Sequence, residues 1–381
     1  MNRSTQTLTN LLAVYSFGPT GSNRRNGSGR TPMPAPGMLA SIVVVSQNSR
    51  NHLETCLNSL MYTVGLNSEI IVVDDASVDG SAEYVAESFP WVRLLRNKMG
   101  TGLVSATNQG VSQAVGRYVV VLSAATEVTS GWLDALLLPL QDGEAGMTTP
   151  RVLRMGLSGE VTACGNLVHY SGLTKRRGLG RPADSPDLLR PAELPAVSGT
   201  CFALSRELWQ QLGGLDSTFL AAMGETDLSL RARLAGYKCS YVPEAVVYHN
   251  YSAEVKNARE LYFMERNRLL MLLKVYGRKT LLQLLPALVE AEAVTWKYAL
   301  NGGRKHVSAK LRAYRWLLAH RQEVARVRRE TQRGRRQTDT GMLKVMTGRL
   351  YTAQLAGLEA GRKPVPPARP FAGLLALLGR D

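Results

Sequence analysis

The sequence predicts an α/β fold: a mainly parallel sheet flanked by helices, with a helical C-terminal extension. Two observations carry this. Short unbroken runs of apolar, β-branched residues alternate with stretches of helical spacing, which is how strands covered on both faces and their crossover helices read. The runs also end in polar clusters, "SQNS", "DDASVDG" and "SAATE", and such sheets bind ligands beyond the carboxyl ends of their strands.

In order along the chain, residues 1–37 are rich in Asn, Ser, Thr, Gly, Arg and Pro, too polar to bury a core, and are expected to be a disordered leader. "SIVVVS" opens an α/β domain over 38–253, followed by a helix over "HLETCLNSLM", a strand "EIIVVDD", a helix "SAEYVAESF", a strand "WVRLLRN", a helix near Asn108–Val115 and a strand "YVVVLS". The Gly-, Pro- and Arg-rich stretch "TKRRGLGRPADSPD" reads as a flexible basic loop. "VSGTCFALSRELWQQLGGL" reads as strand then helix. "GETDLSLRARLAGY" reads as a helix closed by Gly236 in the left-handed conformation. "KCSYVPEAVVYHN" gives two short strands divided by Pro243, and residues 254–381 form a basic, mostly helical region. Trp132 and Trp209 fall at core positions of their helices.

The chain has 381 residues, 45% hydrophobic and 20% charged, as a folded globular protein should be. Cys56, Cys164, Cys201 and Cys239 lack metal-ligand or disulfide spacing and read as reduced thiols of a cytoplasmic protein. No secretory signal is expected from the short apolar stretch Leu11–Val14. The most apolar helical segment, from Thr280, is broken by Pro286, Glu290 and Glu292 before it could cross a bilayer. The net charge is +16, and the run Arg304–Arg336 holds many more bases than acids. A solvated basic helical face and a face that binds lipid phosphate on the inner side of the cell membrane both fit it. Nucleic acid is not expected as a partner, because no aromatic platform or known module accompanies the charge.

Taken in series, "SIVVVSQNSRNHLETCLNSL", "IIVVDDASVDGS", "NQGVSQAVGRYVVVL", "GWLDALL", "VSGTCFALSRELWQQLGGLD", "ETDLSLRARLAGY", "VPEAVVYH" and "FMERNRLLMLLKVYG" resemble glycosyltransferase family 2, inverting enzymes of GT-A fold, in its bacterial rhamnosyltransferase-like branch. The resemblance spans about Ser41 to Gly277. It implies a UDP or dTDP sugar as donor and a glycan or lipid-linked acceptor. Asn48 and Asp74 match the positions that bind the nucleobase, with Asp74 preferred over Asp75; an N-cap is the plainer role for either acid. Asn108, Ser123 and Ala125 fall on the donor side, Ser198 and Gly199 on the acceptor side. Glu225 matches the general base and Asp227 the acid that opens its helix; a surface acid and a first-turn helix charge are the plainer readings. His249 stands where the family places a histidine near metal or diphosphate. Gln47 replaces the usual base-stacking Tyr, and Gly224 replaces the first acid of the pair.

One departure bears on chemistry. The family ends its fourth strand on an aspartate that binds Mn2+ or Mg2+ to neutralise the leaving diphosphate. Here Ala125 holds that place and Glu127 lies two residues on. The basic loop Lys175–Arg181 offers other positive charge. Two expectations follow: a metal-independent or weakly metal-dependent transferase, or a catalytically impaired relative serving as a scaffold or regulatory subunit in polysaccharide assembly.

Overall fold

A computed structural model of the chain describes residues 37–156, 159–250 and 257–349; the expected leader, save Gly37, and residues 350–381 lie outside the described residues. Eight strands form the path of one twisted sheet: β1 (Ala40–Ser46), β2 (Ser68–Asp74), β3 (Arg93–Arg96), β4 (Tyr118–Ser123), β6 (Met147–Arg154), β10 (Ala192–Leu194), β11 (Cys201–Ser205) and β12 (Cys239–His249), in the order β10-β12-β6-β11-β4-β1-β2-β3. β5 (Thr126–Val128) joins through β12 and β7 (Val161–Ala163) through β6, while β8 (Asn166–Val168) and β9 (Thr174–Arg176) form a separate hairpin. β1 runs parallel to β2 and β4, and β2 parallel to β3.

The apolar runs are explained by what covers them. Ile42, Val44, Val72, Val120 and Leu122 pack toward α1 (Arg50–Thr63), α2 (Ser81–Ser88) and α4 (Trp132–Gln141). Val43, Ile71, Val73, Val119 and Val121 belong to the opposite core with α3 (Leu103–Ser112), α5 (Arg206–Leu212) and α6 (Gly224–Leu234). Gly110 lets α3 approach the sheet: a Cβ there would lie 2.4 Å from Val43 Cγ1 and 2.9 Å from Val73 Cγ2. Trp132 and Trp209 are buried, and the four cysteines are buried and free.

Two expectations are corrected. Residues 174–187 are not loop throughout, since Thr174–Arg176 form β9. They continue from β9 through left-handed turns at Gly178 and Gly180 to an Arg181–Asp187 pair with two hydrogen bonds of 2.8 and 2.6 Å. Pro243 does not split the last strand; β12 runs unbroken from Cys239 to His249, and Pro243 falls where its register against β6 shifts, between Val242 and Val246, so no ladder bond needs the missing N–H. Gly236 takes the expected positive φ, 98°.

Beyond residue 257 come α7 (Ala258–Val275), α8 (Arg278–Gln283), α9 (Leu285–Asn301), α10 (Arg304–Ala319), α11 (Arg321–Arg333) and α12 (Asp339–Leu343). Asn257 and Glu260 form a capping box at the start of α7. Pro286 sits in the first turn of α9, where its missing N–H costs nothing. Among the described residues no helix is long and apolar enough to cross a membrane. These helices are not an appendage: Leu270, Met271, Val275, Val324, Val327 and Met342 belong to the same core as the sheet. Where α7, α9 and α10 meet, Lys310 Nζ lies 2.5 Å from Glu265 and 2.9 Å from Glu292, and Arg268 Nη2 lies 3.0 and 2.5 Å from the same two carboxylates.

Burial alone would raise the pKa of Glu292, but Arg268, the Tyr314 hydroxyl and Lys310 bring it down from 4.5 to about 2. Burial of Asp216 is likewise outweighed, by Lys274 and Thr218, which bring it from 3.8 to about 2. A depressed folded pKa stabilises the fold above the unfolded value and loses that contribution as pH falls through the folded one. Stability measured by urea titration is therefore expected to hold down to about pH 4.5 and fall steeply between there and about pH 2, and a Glu292→Gln protein should show a shallower fall over that window.

Candidate active site

The carboxyl ends of β1 and β4, the start of α3 and the segment before α6 enclose a cavity of ≈290 Å³. Its polar wall holds Ser123, Asn166, Arg176, Ser198, Glu225 and His249. Glu225 is the second residue of α6, half-buried, with Oε1 3.3 Å from Asn166 Nδ2 and 3.2 Å from Thr226 Oγ1. Burial raises its pKa above the ordinary 4.5; its own backbone N–H, Thr226, Arg176 and Asn166 oppose this without cancelling it. Gly199 packs on the carboxyl: a Cβ there would lie 3.2 Å from Glu225 Cδ. The turn carrying Gly199 is held on both sides, with the Ser198 N–H donating to Thr149 Oγ1 at 3.2 Å and the Ser123 N–H donating to the Thr200 carbonyl at 2.9 Å.

His249 ends β12 opposite Thr126 of β5, beside the turn Ser123–Thr126. Burial first, then Arg176, His52 and Arg154, depress its pKa from 6.5 to about 4, so the imidazole is neutral at pH 7. Glu127 is exposed and pairs in register with Tyr248; alternation turns it from Thr126 and keeps it out of the wall. Among the described residues no three His, Cys, Asp or Glu side chains are grouped to hold a metal ion. One imidazole with arginines around it, beside a turn without a carboxylate, does not fit a divalent cation.

The structure separates several residues that the sequence grouped. Asp227 is fully buried and does not reach the cavity; two residues beyond Glu225 means about 200° around the helix, and there Arg231 Nε and Lys274 Nζ lie 2.7 and 2.8 Å from its oxygens. It is a structural ion pair, not a catalytic acid. Asn108 is a clasp: its amide donates to the Leu215 carbonyl at 2.8 Å and accepts from the Leu215 N–H at 3.0 Å. Asp74 follows Val72 toward α1 and α2, and its Oδ2 accepts from the Ser77 N–H at 3.2 Å. Asp75 turns the other way, to the loop that enters α3. Its Oδ1 accepts from Asn97 Nδ2, Thr101 N–H and Thr101 Oγ1 at 2.9, 2.8 and 2.9 Å, and its Oδ2 from Gly102 N–H at 2.8 Å. Neither acid lines the cavity: both Asp75 oxygens are taken up by the loop, while Asp74 keeps Oδ1 buried without a hydrogen-bond partner. Asn48, two residues beyond β1, is exposed and does not line the cavity, its Oδ1 accepting from the Val78 N–H at 2.9 Å. Ala125 lies in the β4–β5 turn, its carbonyl accepting from the Asn250 N–H at 2.9 Å.

Of the basic stretch Lys175–Arg181, Arg176 reaches the cavity, whereas Arg177 lies over the Tyr241 ring and Arg181 is held by Asp187. Asn166 was missed; a three-residue strand has no periodicity to mark it.

Comparison with known proteins agrees with this fold. The family model described as glycosyl transferase family 2 matches residues 41–213. The chain carries a family 2 glycosyltransferase domain. It is 27% identical over 236 residues to an N-acetylglucosaminyl-diphospho-decaprenol L-rhamnosyltransferase of Mycobacterium tuberculosis, covering 55% of this chain and 75% of that one. It is 28% identical over 242 residues to polypeptide N-acetylgalactosaminyltransferase 3 of Taeniopygia guttata, covering 57% and 38%. The match to an uncharacterized Sinorhizobium fredii protein, 26% identical over 232 residues, covers 56% of this chain and 25% of that protein. The chain thus spans well under half the length of two of the three. Among solved structures, S. aureus TarS 1–349 in complex with UDP-GlcNAc superposes with a TM-score of 0.52 at 15% identity, covering 72% of this chain and 79% of that one. GalNAc-T7 with UDP, GalNAc and Mn2+ superposes at 0.50 and 22%, covering 64% and 49%. At these identities the likeness is one of GT-A fold.

The opposed placement of the two acids has a measurable consequence for the family 2 domain. Asp75→Ala removes the acceptor of four hydrogen bonds and is expected to destabilise the fold by about 1.5–3 kcal/mol or more, whereas Asp74→Ala, losing one long bond, should cost clearly less. Denaturant midpoints of the two proteins check the order.

Proposed function

We propose that the family 2 domain transfers a sugar from a nucleoside diphosphate donor, a UDP or dTDP sugar, to a hydroxyl of a glycan or lipid-linked acceptor with inversion, and that it does so with arginine in place of a metal. The observation that carries this is the convergence of Glu225, Asn166, Arg176 and His249 on one cavity at the carboxyl ends of the parallel strands. In this reading the nucleobase lies toward Asn48 and the Asp75-braced loop, and the diphosphate lies by Ser123, Arg176 and His249. Glu225 takes the proton of the acceptor hydroxyl, whose oxygen attacks the anomeric carbon from the side opposite the diphosphate. The anomeric C–O bond breaks with its electrons passing to the phosphate oxygen, where the Arg176 guanidinium neutralises the growing charge. Ser198 and Gly199 border the acceptor side. The carboxylate-free turn at Ala125 favours a second reading, a donor-binding scaffold without turnover.

Calorimetry with UDP and dTDP sugars, with Mn2+ or with EDTA, tests the first reading: affinity is expected to be the same in both. Arg176→Gln should weaken it by the roughly 1.5–3 kcal/mol of a charged hydrogen bond. Glu225→Gln should bind donor at least as tightly as wild type and lose about 10²–10⁴ in rate. Because the base works ionised and its pKa lies above 4.5, the rate should rise with pH along a limb displaced upward from that value. No binding of any nucleotide sugar would remove the proposal; binding without turnover would leave the scaffold.

A lipid-linked acceptor calls for a membrane surface, and α9 offers one. Leu285, Val289, Ala293, Trp296 and Leu300 fall within about 80° of its circumference, and Leu285, Val289 and Leu300 are 54%, 59% and 64% exposed. Exposed Arg278, Lys279, Lys297, Arg304 and Lys305 lie along and beside it, and residues 278–336 hold 15 Lys and Arg against four acids. We propose that this face lies on anionic lipid. The protein is expected to float with phosphatidylserine-containing vesicles and not with phosphatidylcholine alone, and a Val289→Glu, Leu300→Glu protein should stay at the bottom of the gradient. Equal flotation of the double variant would count against the face.

A further inference from the structure

The motif "ERNR", Glu265 to Arg268 on α7, takes no part in the site as built so far, yet none of its side chains is more than 2% exposed. Asn267 faces the segment that leads into α6. Its Nδ2 lies 2.9, 2.7 and 3.0 Å from the carbonyl oxygens of Phe219, Ala221 and Ala222, two N–H groups shared among three acceptors. The segment needs holding, because Leu220, Ala222 and Met223 have φ of 42°, 60° and 63°, a conformation that side-chain-bearing residues rarely adopt unless their surroundings impose it. It ends at Gly224 and Glu225, and Ala222 lines the cavity.

Arg266 stands behind Asn267. Its Nε and Nη2 donate to Asn267 Oδ1 at 2.9 and 2.7 Å, which aims the amide nitrogen at the segment, and Nη2 also donates to the Thr218 carbonyl at 2.5 Å. Trp316 of α10 covers the guanidinium at 4.7 Å. Arg268, the residue after Asn267, holds the other wall: its Nη1 donates to the Ser171 carbonyl at 3.1 Å, in the loop of the β8–β9 hairpin that carries Asn166 and Arg176. Glu265, paired with Arg268 and Lys310, anchors the motif to the helices beyond.

We propose that α7 is the positioning element of the site, Asn267 with Arg266 and Arg268 fixing the Glu225 carboxylate against Asn166 and Arg176 by holding the two loops that bring them together. This rests on the transferase reading above for its consequence in rate, but not for its geometry. The groups that face Glu225 are Asn166 and Arg176 from the hairpin, Thr226 from its own helix and the Gly199 turn, with His249 in the same cavity wall; Asp227 is turned away and paired with Arg231 and Lys274.

Asn267→Ala separates positioning from simple stability. In the folded protein kcat is expected to fall about tenfold to a hundredfold, the scale of an ångström of misplacement, with the donor KM unchanged. The Glu225 carboxyl, followed by carbon NMR in the full chain, should titrate closer to the ordinary 4.5 as the loop loosens and admits water. Adding Ala222→Gly, which removes the cost of the left-handed backbone, should recover part of kcat. Unchanged kcat with an unchanged Glu225 titration would overturn the proposal, as would a loss of rate matched by a rise in KM with no change in titration. If Asn267→Ala does not fold, Asn267→Ser, which keeps one donor, is read by the same two measurements. If wild type turns over no donor, the transferase reading fails, and the titration alone decides: a shift supports the positioning role and no shift overturns it.

Discussion

The Lys274 ammonium, 1% exposed, lies 2.5 Å from Asp216 and 2.8 Å from Asp227, and the arrangement of everything near the cavity depends on it. Asp216 opens the segment that leads into α6, Asp227 lies in the first turn of that helix, and Lys274 is near the end of α7. A buried trio of this kind adds little net stability over an apolar equivalent, but removing one member leaves an uncompensated charge that costs about 3–5 kcal/mol. Its effect is therefore on specificity. Apolar side chains would let α6 slide against α7; three charges with matched donors and acceptors allow one alignment, and Arg231, bound at once to Asp227 and to the Leu212 and Gly214 carbonyls, excludes the alternatives on the other side. Glu225 sits on the opposite face of the same turn, so the alignment that satisfies Asp227 also determines where Glu225 points.

Much of the fold was legible because it rests on local patterns. Runs such as Ile42–Val45 and Ile70–Val73 are apolar at every position, which only a strand covered on both faces requires, and the helices between them carry their own spacing. The site was legible in part. Glu225, Ser198, Gly199, Ser123 and His249 line one cavity, although the sequence gives no reason for Asn166 to join them: it reaches Glu225 from a three-residue strand 59 positions away. Asp74 and Asp75 show the limit from the other side. Their contrast depends on a single alternation at a strand end, where one residue decides between the α1 face and the α3 loop, and a motif containing both acids does not carry that information. Asp227 was misplaced for a related reason: a helical motif gives spacing along the chain, whereas the burial of its neighbours decides which acid faces water.

The charge arrangement near Ala125 has its own logic. At an effective dielectric of about 20, a unit charge 4 Å from a phosphate contributes about 4 kcal/mol of attraction, and a divalent cation at that distance about twice as much. His249, neutral at pH 7, adds no charge of its own. A diphosphate here would meet Arg176 from the hairpin, which lines the cavity beside His249. The Arg176 guanidinium supplies part of what one ion would, and adds directional N–H donors matched to phosphate oxygens. The demand this makes on the protein is geometric: an ion finds its ligands, but an arginine on a hairpin must be delivered to the right place.

Arg176 is also shared. It acts on Glu225, where it opposes the rise in pKa that burial imposes, and on His249, where it deepens the depression. In the transferase reading a bound diphosphate draws on the same positive charge. Two phosphate oxygens near Arg176 would screen it from Glu225, leaving the burial effect less opposed, so the carboxylate would become a stronger base when a donor is in place. The same screening would raise the basicity of His249. The proton affinity of the site and the occupancy of its phosphate region are thus linked through one side chain, and by reciprocity deprotonation of Glu225 would weaken the hold on the donor. That linkage explains why the walls must be held so closely: a guanidinium serves two anions in turn only while the hairpin and the start of α6 keep it between them.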